Sequence, residues 1–199
     1  MAEIYLIRHG EAENNIKNIF GEDSELTEKG ERQAREIAEY LKDFEFDVIY
    51  HSPKKRAVKT ANIIAELING IELIEIPEIT EMDYGILEGL SIDDVNKRFP
   101  GLFKERAENK YYWKFGGENF EDIQNRVKDF LNRLKSEEGK FVIVAHQMTN
   151  RAILGELLNL PKDKTPFIIT PNDVIYEINL DSLDVWNIHK GIRKEGLIE

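Results

Sequence analysis

Two short apolar runs, each ending abruptly before a histidine, set the strongest limit on how this chain folds. Ile4–Ile7 gives way to Arg8-His9-Gly10-Glu11, and Phe141–Ala145 gives way to His146. Runs that short and continuous read as strands buried on both faces. Between them lie stretches with helical spacing. Leu26–Leu41 puts Ala34, Ile37, Ala38 and Leu41 on one stripe, with Thr27 as the expected N-cap. Asn119–Leu134 does the same with Ile123, Val127, Phe130, Leu131 and Leu134. Val48–Tyr50 predicts a second strand, and Ser52-Pro53 then supplies an N-cap and first-turn proline for a helix reaching about Leu67. Leu73–Ile79 alternates like a strand, and Ser91–Phe99 reads as a short helix stopped by Pro100-Gly101. A further helix is expected from about Thr149 to Leu158, and an edge hairpin from Val174–Leu180 and Val185–His189.

Strands alternating with helices predict an α/β fold in three layers, α/β/α: a mostly parallel sheet covered by helices on both faces. One domain over residues 1–199 is expected, with a small helical lid inserted at about 82–118. Such sheets bind ligands beyond the carboxyl ends of their strands. His9 and His146 both fall there.

Composition narrows the function. The 199 residues carry 27 Lys and Arg against 38 Asp and Glu, a net charge of −11, which argues against a nucleic-acid partner. No apolar run approaches the length of a membrane span, and Met1-Ala2-Glu3-Ile4 has no basic leader, so no membrane partner is expected. With no cysteine there is no disulfide framework and no thiol nucleophile; a cytoplasmic setting follows as the expectation. Monomer and homodimer stay equally open.

The residues after the first strand carry the chemistry. A histidine can attack phosphorus when one ring nitrogen is bare and the other is pinned by a hydrogen bond. An adjacent arginine neutralises phosphoryl oxygens with a planar fork of donors. Arg8-His9 offers both groups.

Taken together, the motifs resemble the histidine phosphatase superfamily, also called phosphoglycerate mutase-like. The matching stretches are Leu6-Ile7-Arg8-His9-Gly10-Glu11 with Asn15, Leu26-Thr27-Glu28-Lys29-Gly30 with Gln33-Ala34, and Ser52-Pro53-Lys54-Lys55-Arg56-Ala57 with Thr60-Ala61. They continue with Glu81-Met82-Asp83-Tyr84-Gly85 and Glu88-Gly89, then Gly116-Gly117-Glu118 with Arg126, then Val144-Ala145-His146. The resemblance runs through nearly the whole chain in family order.

It implies that His9 is the nucleophile that becomes phosphohistidine. Arg8, Arg56 and His146, with Asn15 beside them, would bind the transferring phosphoryl group. Glu81 would donate a proton to the leaving oxygen and later activate water. The arginines supply the positive charge, so neither cofactor nor metal is expected, and the implied partner is a small phosphorylated metabolite. His51 and His189 read as structural, and Glu11 and Glu13 as solvated loop charges. Gly85 and Gly89 read as turn glycines, and Tyr111, Tyr112, Trp113 and Phe115 as lid packing or a pocket cover.

Departures from the pattern are informative. Ala12 stands where Ser or Thr is usual, Asn119 replaces a usual Ser, and Gln147 follows His146 where most members have Gly. His146-Gln147 with Arg151, and the Glu-x-Asp-x-Gly form at Glu81, resemble the fructose-2,6-bisphosphatase branch. In that branch the residues matching Arg106, Lys110, Gln147 and Arg151 contact the sugar and its second phosphate, although two tyrosines of its sugar site are here Ile92 and Phe120. The reading is a metal-independent phosphomonoester hydrolase. A phosphoglycerate mutase is the alternative, disfavoured by the compact stretch from Glu81 to His146. A catalytically dead phospho-ligand binder is a third reading, against which the presence of His9, Arg56 and Glu81 argues.

Overall fold

The computed structural model describes residues 2–68 and 70–198; Met1, Asn69 and Glu199 lie outside the described residues. In chain order the strands are β1 (Ala2–Arg8), β2 (Val48–His51), β3 (Glu72–Glu75), β4 (Gly139–Ala145), β5 (Val174–Asn179), β6 (Val185–His189) and β7 (Ile192–Glu195). The helices are α1 (Glu13–Ile16), α2 (Glu28–Leu41), α3 (Lys55–Ala65), α4 (Ile92–Arg98), α5 (Leu102–Glu108), α6 (Phe120–Lys135) and α7 (Gln147–Leu157).

One sheet runs in the order β3-β2-β4-β1-β5-β6-β7. The first four of these pair in parallel, and β5, β6 and β7 add on antiparallel. The fold is therefore α/β as expected, with the parallel half carrying the site. Alternation of side chains across the strands builds two cores. Ile4, Leu6, Phe141 and Ile143 face α6 and α7, while Tyr5, Ile7, Val142 and Val144 face α2 and α3. Phe130 of α6 is 1% exposed, and truncating a ring so buried costs about 3–5 kcal/mol.

Register aligns the strand ends. Arg8 pairs with Ala145 and His51 with Val144, and the chain continues the ladder one step further: His9 N–H donates to Ala145 O at 3.0 Å, and Ser52 N–H to Val144 O at 3.1 Å. Residues 9, 52 and 146 thus leave the sheet side by side.

Thr27 caps α2 as expected, its Oγ1 accepting from Gly30 N–H at 3.0 Å, and Asn119 caps α6 with a reciprocal bond from Asp122. Elsewhere the sequence reading needs correction. Ser52 does not cap α3, which starts at Lys55 behind Lys54: its Oγ accepts from Lys54 N–H, before the helix begins, and lies against His146 Nε2. The strand expected to reach Ile79 stops at Glu75, since Pro77 removes a ladder donor and opens a 3₁₀ turn. Residues Leu102–Glu108 are helical, and β7 covers β6, so the hairpin is not the edge. Gly85 and Gly89 have φ of +59° and +74°, and a Cβ on Gly85 would sit 2.4 Å from Phe115 O. Both are turn glycines in fact.

Candidate active site

β1 delivers Arg8 and His9 to the floor of a cleft of about 500 Å³. The cleft is lined by Asn14, Asn15, Asn18 and Phe20, by Arg56 and Glu81, and by Tyr84, Ile92, Phe103 and Arg106 from the segment expected to be a lid. Gln147 and Met148, at the start of α7, complete it.

His9 is 2% exposed. Its Nδ1 lies 2.7 Å from Gly10 O, and a carbonyl only accepts, so the ring proton sits on Nδ1. Nε2 is left as a bare lone pair, and it accepts from Arg56 Nε at 3.0 Å. Burial, followed by the charges of Arg56 and Arg8, holds the His9 pKa well below the ordinary imidazole value. The ring is neutral at neutral pH, as a nucleophile requires.

His146 packs against it with ring centroids 5.0 Å apart. Lys54 N–H donates to Ser52 Oγ, which lies 2.7 Å from His146 Nε2. The Ser52 hydroxyl, which can both donate and accept, thereby ties His146 to the backbone ahead of α3. Burial and then His9 keep the His146 pKa well below its usual value. His146 Nδ1 is buried and has no hydrogen-bond partner, and neither has Arg8 Nε. A buried donor without an acceptor is rare and costly, so Arg8 Nε, next to His9 in the chain, stands ready for an oxygen, and His146 Nδ1 is a second buried nitrogen left without a partner.

Arg56 is 2% exposed, and its Nη1 donates to Glu22 O at 3.0 Å and lies 3.7 Å from Asp23 Oδ1. Arg8 Nη1 donates to Thr170 O at 3.2 Å, and burial lowers its pKa to about 10, leaving it charged. Asn15 lines the cleft with its Oδ1 taken by Ala12 N–H at 3.0 Å, so its amide nitrogen is the end left to donate. Glu81 Oε1 accepts from Met82 N–H at 2.9 Å and Met148 N–H at 3.2 Å, which ties the carboxylate to the first turn of α7.

The four residues matched to a sugar site divide. Arg106 and Gln147 line the cleft. Lys110 Nζ instead stands 4.1 Å over the Phe167 ring, and Arg151 Nε donates to Ile168 O at 2.6 Å. Neither lines the cleft, but the Arg151 and Arg106 charges act on Lys110. Ile92 lines the cleft, whereas Phe120 and Trp113 are buried in the core. Tyr111 and Trp113 are core residues and Phe115 packs against that core, whereas Tyr112 is exposed. His51 is buried with Nδ1 on Ser52 O, His189 pairs with Asp173, and Glu11 is tied to Thr27 and Lys29.

Sequence reading gave no role to the segment after α7. Ile168 O, Ile169 O and Thr170 O accept in turn from Arg151, Tyr176 and Arg8, and Asn172 Nδ2 donates to His9 O. Its only signal is a Pro-Asn-Asp turn, which reads as a loop.

Among the described residues no group of three His, Cys, Asp or Glu side chains is placed to hold a metal ion, and no helix is long and apolar enough to cross a membrane.

Residues 4–189 match the family model for the histidine phosphatase superfamily, branch 1. Phosphoserine phosphatase 1 of Hydrogenobacter thermophilus is 35% identical over 169 residues, covering 82% of this chain and 80% of that protein. The fructose-2,6-bisphosphatase of Saccharomyces cerevisiae is 28% identical over 172 residues, 84% of this chain. The chain spans only 37% of that longer relative. A mycobacterial glucosyl-3-phosphoglycerate phosphatase superimposes with a TM-score of 0.81 at 23% identity, over 99% of this chain and 97% of its own. The chain therefore belongs to the histidine phosphatase superfamily, branch 1, and is an enzyme of that phosphatase family.

Proposed function

We propose that the protein hydrolyses small phosphorylated metabolites by way of a phosphohistidine on His9. The observation that carries this reading is the state of His9: a neutral ring with Nδ1 committed to Gly10 O and a bare Nε2 facing the cleft beside Arg56. Nε2 attacks phosphorus while Arg8, Arg56 and His146 take up the phosphoryl oxygens, and the bond to the ester oxygen breaks. Arg56 lets go of Nε2 as it turns to those oxygens. Glu81 gives its proton to the departing alkoxide and then takes one from the water that releases phosphate and restores His9. Residues 82–118 act as the lid, bringing Tyr84, Ile92, Phe103 and Arg106 over the substrate.

The substrate carries a second anionic group, held by Arg106. Its guanidinium lies 5.3 Å from the Trp113 ring and 5.9 Å from the Phe20 ring, and among the described residues no carboxylate pairs with Arg106, Lys110 or Arg151. One cation lining the cleft, with two more near enough for the three charges to act on one another, suits an anion. The resemblance of Hydrogenobacter phosphoserine phosphatase 1, whose name denotes a phosphate ester that also carries a carboxylate, supports the same reading.

Rapid quench with a ³²P-labelled phosphomonoester tests the mechanism. The expected product is an acid-labile, alkali-stable phosphoprotein that disappears in His9→Ala. Label on serine, or no label during fast turnover, overturns it. Parallel assay with 3-phosphoglycerate, reading isomerisation against phosphate release, decides between hydrolase and mutase.

A further inference from the structure

We propose that Gln33 is a positioning residue for His9, acting through the Gly10–Glu11 peptide. The inference rests on His9 being the nucleophile.

The two ends of that one peptide are both engaged. Its carbonyl, Gly10 O, accepts the His9 Nδ1 proton at 2.7 Å, and its N–H, on Glu11, donates to Gln33 Oε1 at 2.9 Å. A peptide whose N–H is hydrogen-bonded becomes a better acceptor at its oxygen, because the two bonds polarise one amide in the same sense. Gln33 thus strengthens and aims the bond that fixes the His9 ring. A catalytic histidine is often oriented by a carboxylate at Nδ1. Here a peptide carbonyl fills that place, and a side-chain amide stands behind it.

The neighbouring peptide is held just as firmly, so Gln33 controls a plane with little other freedom. His9 O accepts from Asn172 Nδ2, and Gly10 N–H donates to Thr60 Oγ1 at 3.1 Å. The loop lies hard against α2: a Cβ on Gly10 would meet Gly30 O at 2.3 Å, and a Cβ on Gly30 would meet Glu11 O at 2.0 Å. That contact brings Gln33, one turn further along α2, within reach of Glu11 N–H. Gln33 touches neither the cleft nor any residue placed on the phosphoryl group.

The test uses the full chain labelled with ¹⁵N-histidine, in wild type, Gln33→Leu, Gln33→Glu and His9→Ala. The His9 resonances are those missing from His9→Ala. Gln33→Leu removes the acceptor at similar size; Gln33→Glu keeps an oxygen there. In Gln33→Leu the His9 Nδ1 proton moves upfield and exchanges faster, and kcat for an aryl phosphate falls by up to about tenfold with KM unchanged, the loss expected of one neutral hydrogen bond. Gln33→Glu restores both. Gln33→Ala replaces the leucine variant should that one not fold.

Wild-type Nδ1 signals and kcat in Gln33→Leu overturn the proposal, as does a Gln33→Glu variant as impaired as Gln33→Leu, which would reduce Gln33 to a packing residue. Full turnover in His9→Ala overturns the nucleophile reading separately, and leaves the Nδ1 resonance to decide what Gln33 does to the ring.

Discussion

Arg56 Nε donates to the very nitrogen of His9 that is free to attack, across 3.0 Å. The arginine guards the lone pair at rest and must exchange it for phosphoryl oxygens in the reaction. Its charge is also the largest cause, after burial, of the low His9 pKa.

Arg56→Ala therefore has two expected effects. Losing a preorganised donor from the developing charge lowers kcat by about 10²–10³. Losing a nearby cation raises the His9 pKa, so the acidic limb of kcat/KM moves to higher pH. A pH–rate profile of the variant beside wild type checks both. A lower rate with an unmoved acidic limb means that Arg56 holds the substrate without governing the ring.

Glu81→Gln is expected to discriminate between leaving groups. Alkyl phosphates need a proton on a strongly basic oxygen and lose about 10²–10⁴ in kcat, whereas nitrophenyl phosphate needs none and loses far less. The comparison is made by steady-state assay on the two esters. Equal losses assign the proton to another group, with Asp83 the nearest carboxylate in sequence.

Arg106→Ala is expected to cost roughly ten- to a hundredfold in kcat/KM for a bisphosphate, at about 1.5–3 kcal/mol per charge-assisted contact, and Arg151→Ala, acting from outside the cleft lining, a smaller loss. An aryl phosphate should hardly notice. Lys110 adds a pH dependence. Burial, then Arg151 and Arg106, lowers its pKa to about 8, so it is charged below that pH and neutral above. An anion favours the charged form, hence KM for the bisphosphate rises as pH climbs past 8, and Lys110→Met removes that rise. Parallel small losses on both substrates in the arginine variants refute the second anion site.

Stability should fall on acidification. His9 and His146 have folded-state pKa values well below the unfolded value of about 6.5. Below that pH the unfolded chain takes up protons that the folded chain refuses, so their contribution, complete above pH 6.5, is lost as pH drops towards the folded values. Melting curves from pH 7.5 to 5.5 should show wild type losing Tm more steeply than His9→Asn or His146→Asn. Equal slopes would mean that neither ring is buried in its neutral form.

How much of this could be read from the chain depends on whether a residue acts through its own side-chain chemistry. Arg8, His9, Arg56 and Glu81 stand in local motifs beside strong strand or turn signals, and the structure brings all four to one cleft. Gln33, Thr60 and Asn172 act on backbone atoms of the His9 loop, and no residue pattern encodes which peptide a distant amide will find. Ser52 misled because a serine before proline serves equally well as a cap or as a partner for His146. Pro77 was legible as a strand breaker and simply outweighed the alternation around it. β7 is exposed along its whole length, so its four residues show no apolar period to detect.

The pairing of β1 with β4 has a kinetic meaning. Ala2 lies against Gly139 and Arg8 against Ala145, partners more than a hundred residues apart along the chain. Closing so long a loop is entropically slow, and parallel pairing gains nothing until it is closed. His9 and His146 cannot meet before that step. Recovery of activity on refolding is thus bounded by assembly of the central sheet, and a nascent chain holding every residue up to Lys135 still lacks a site.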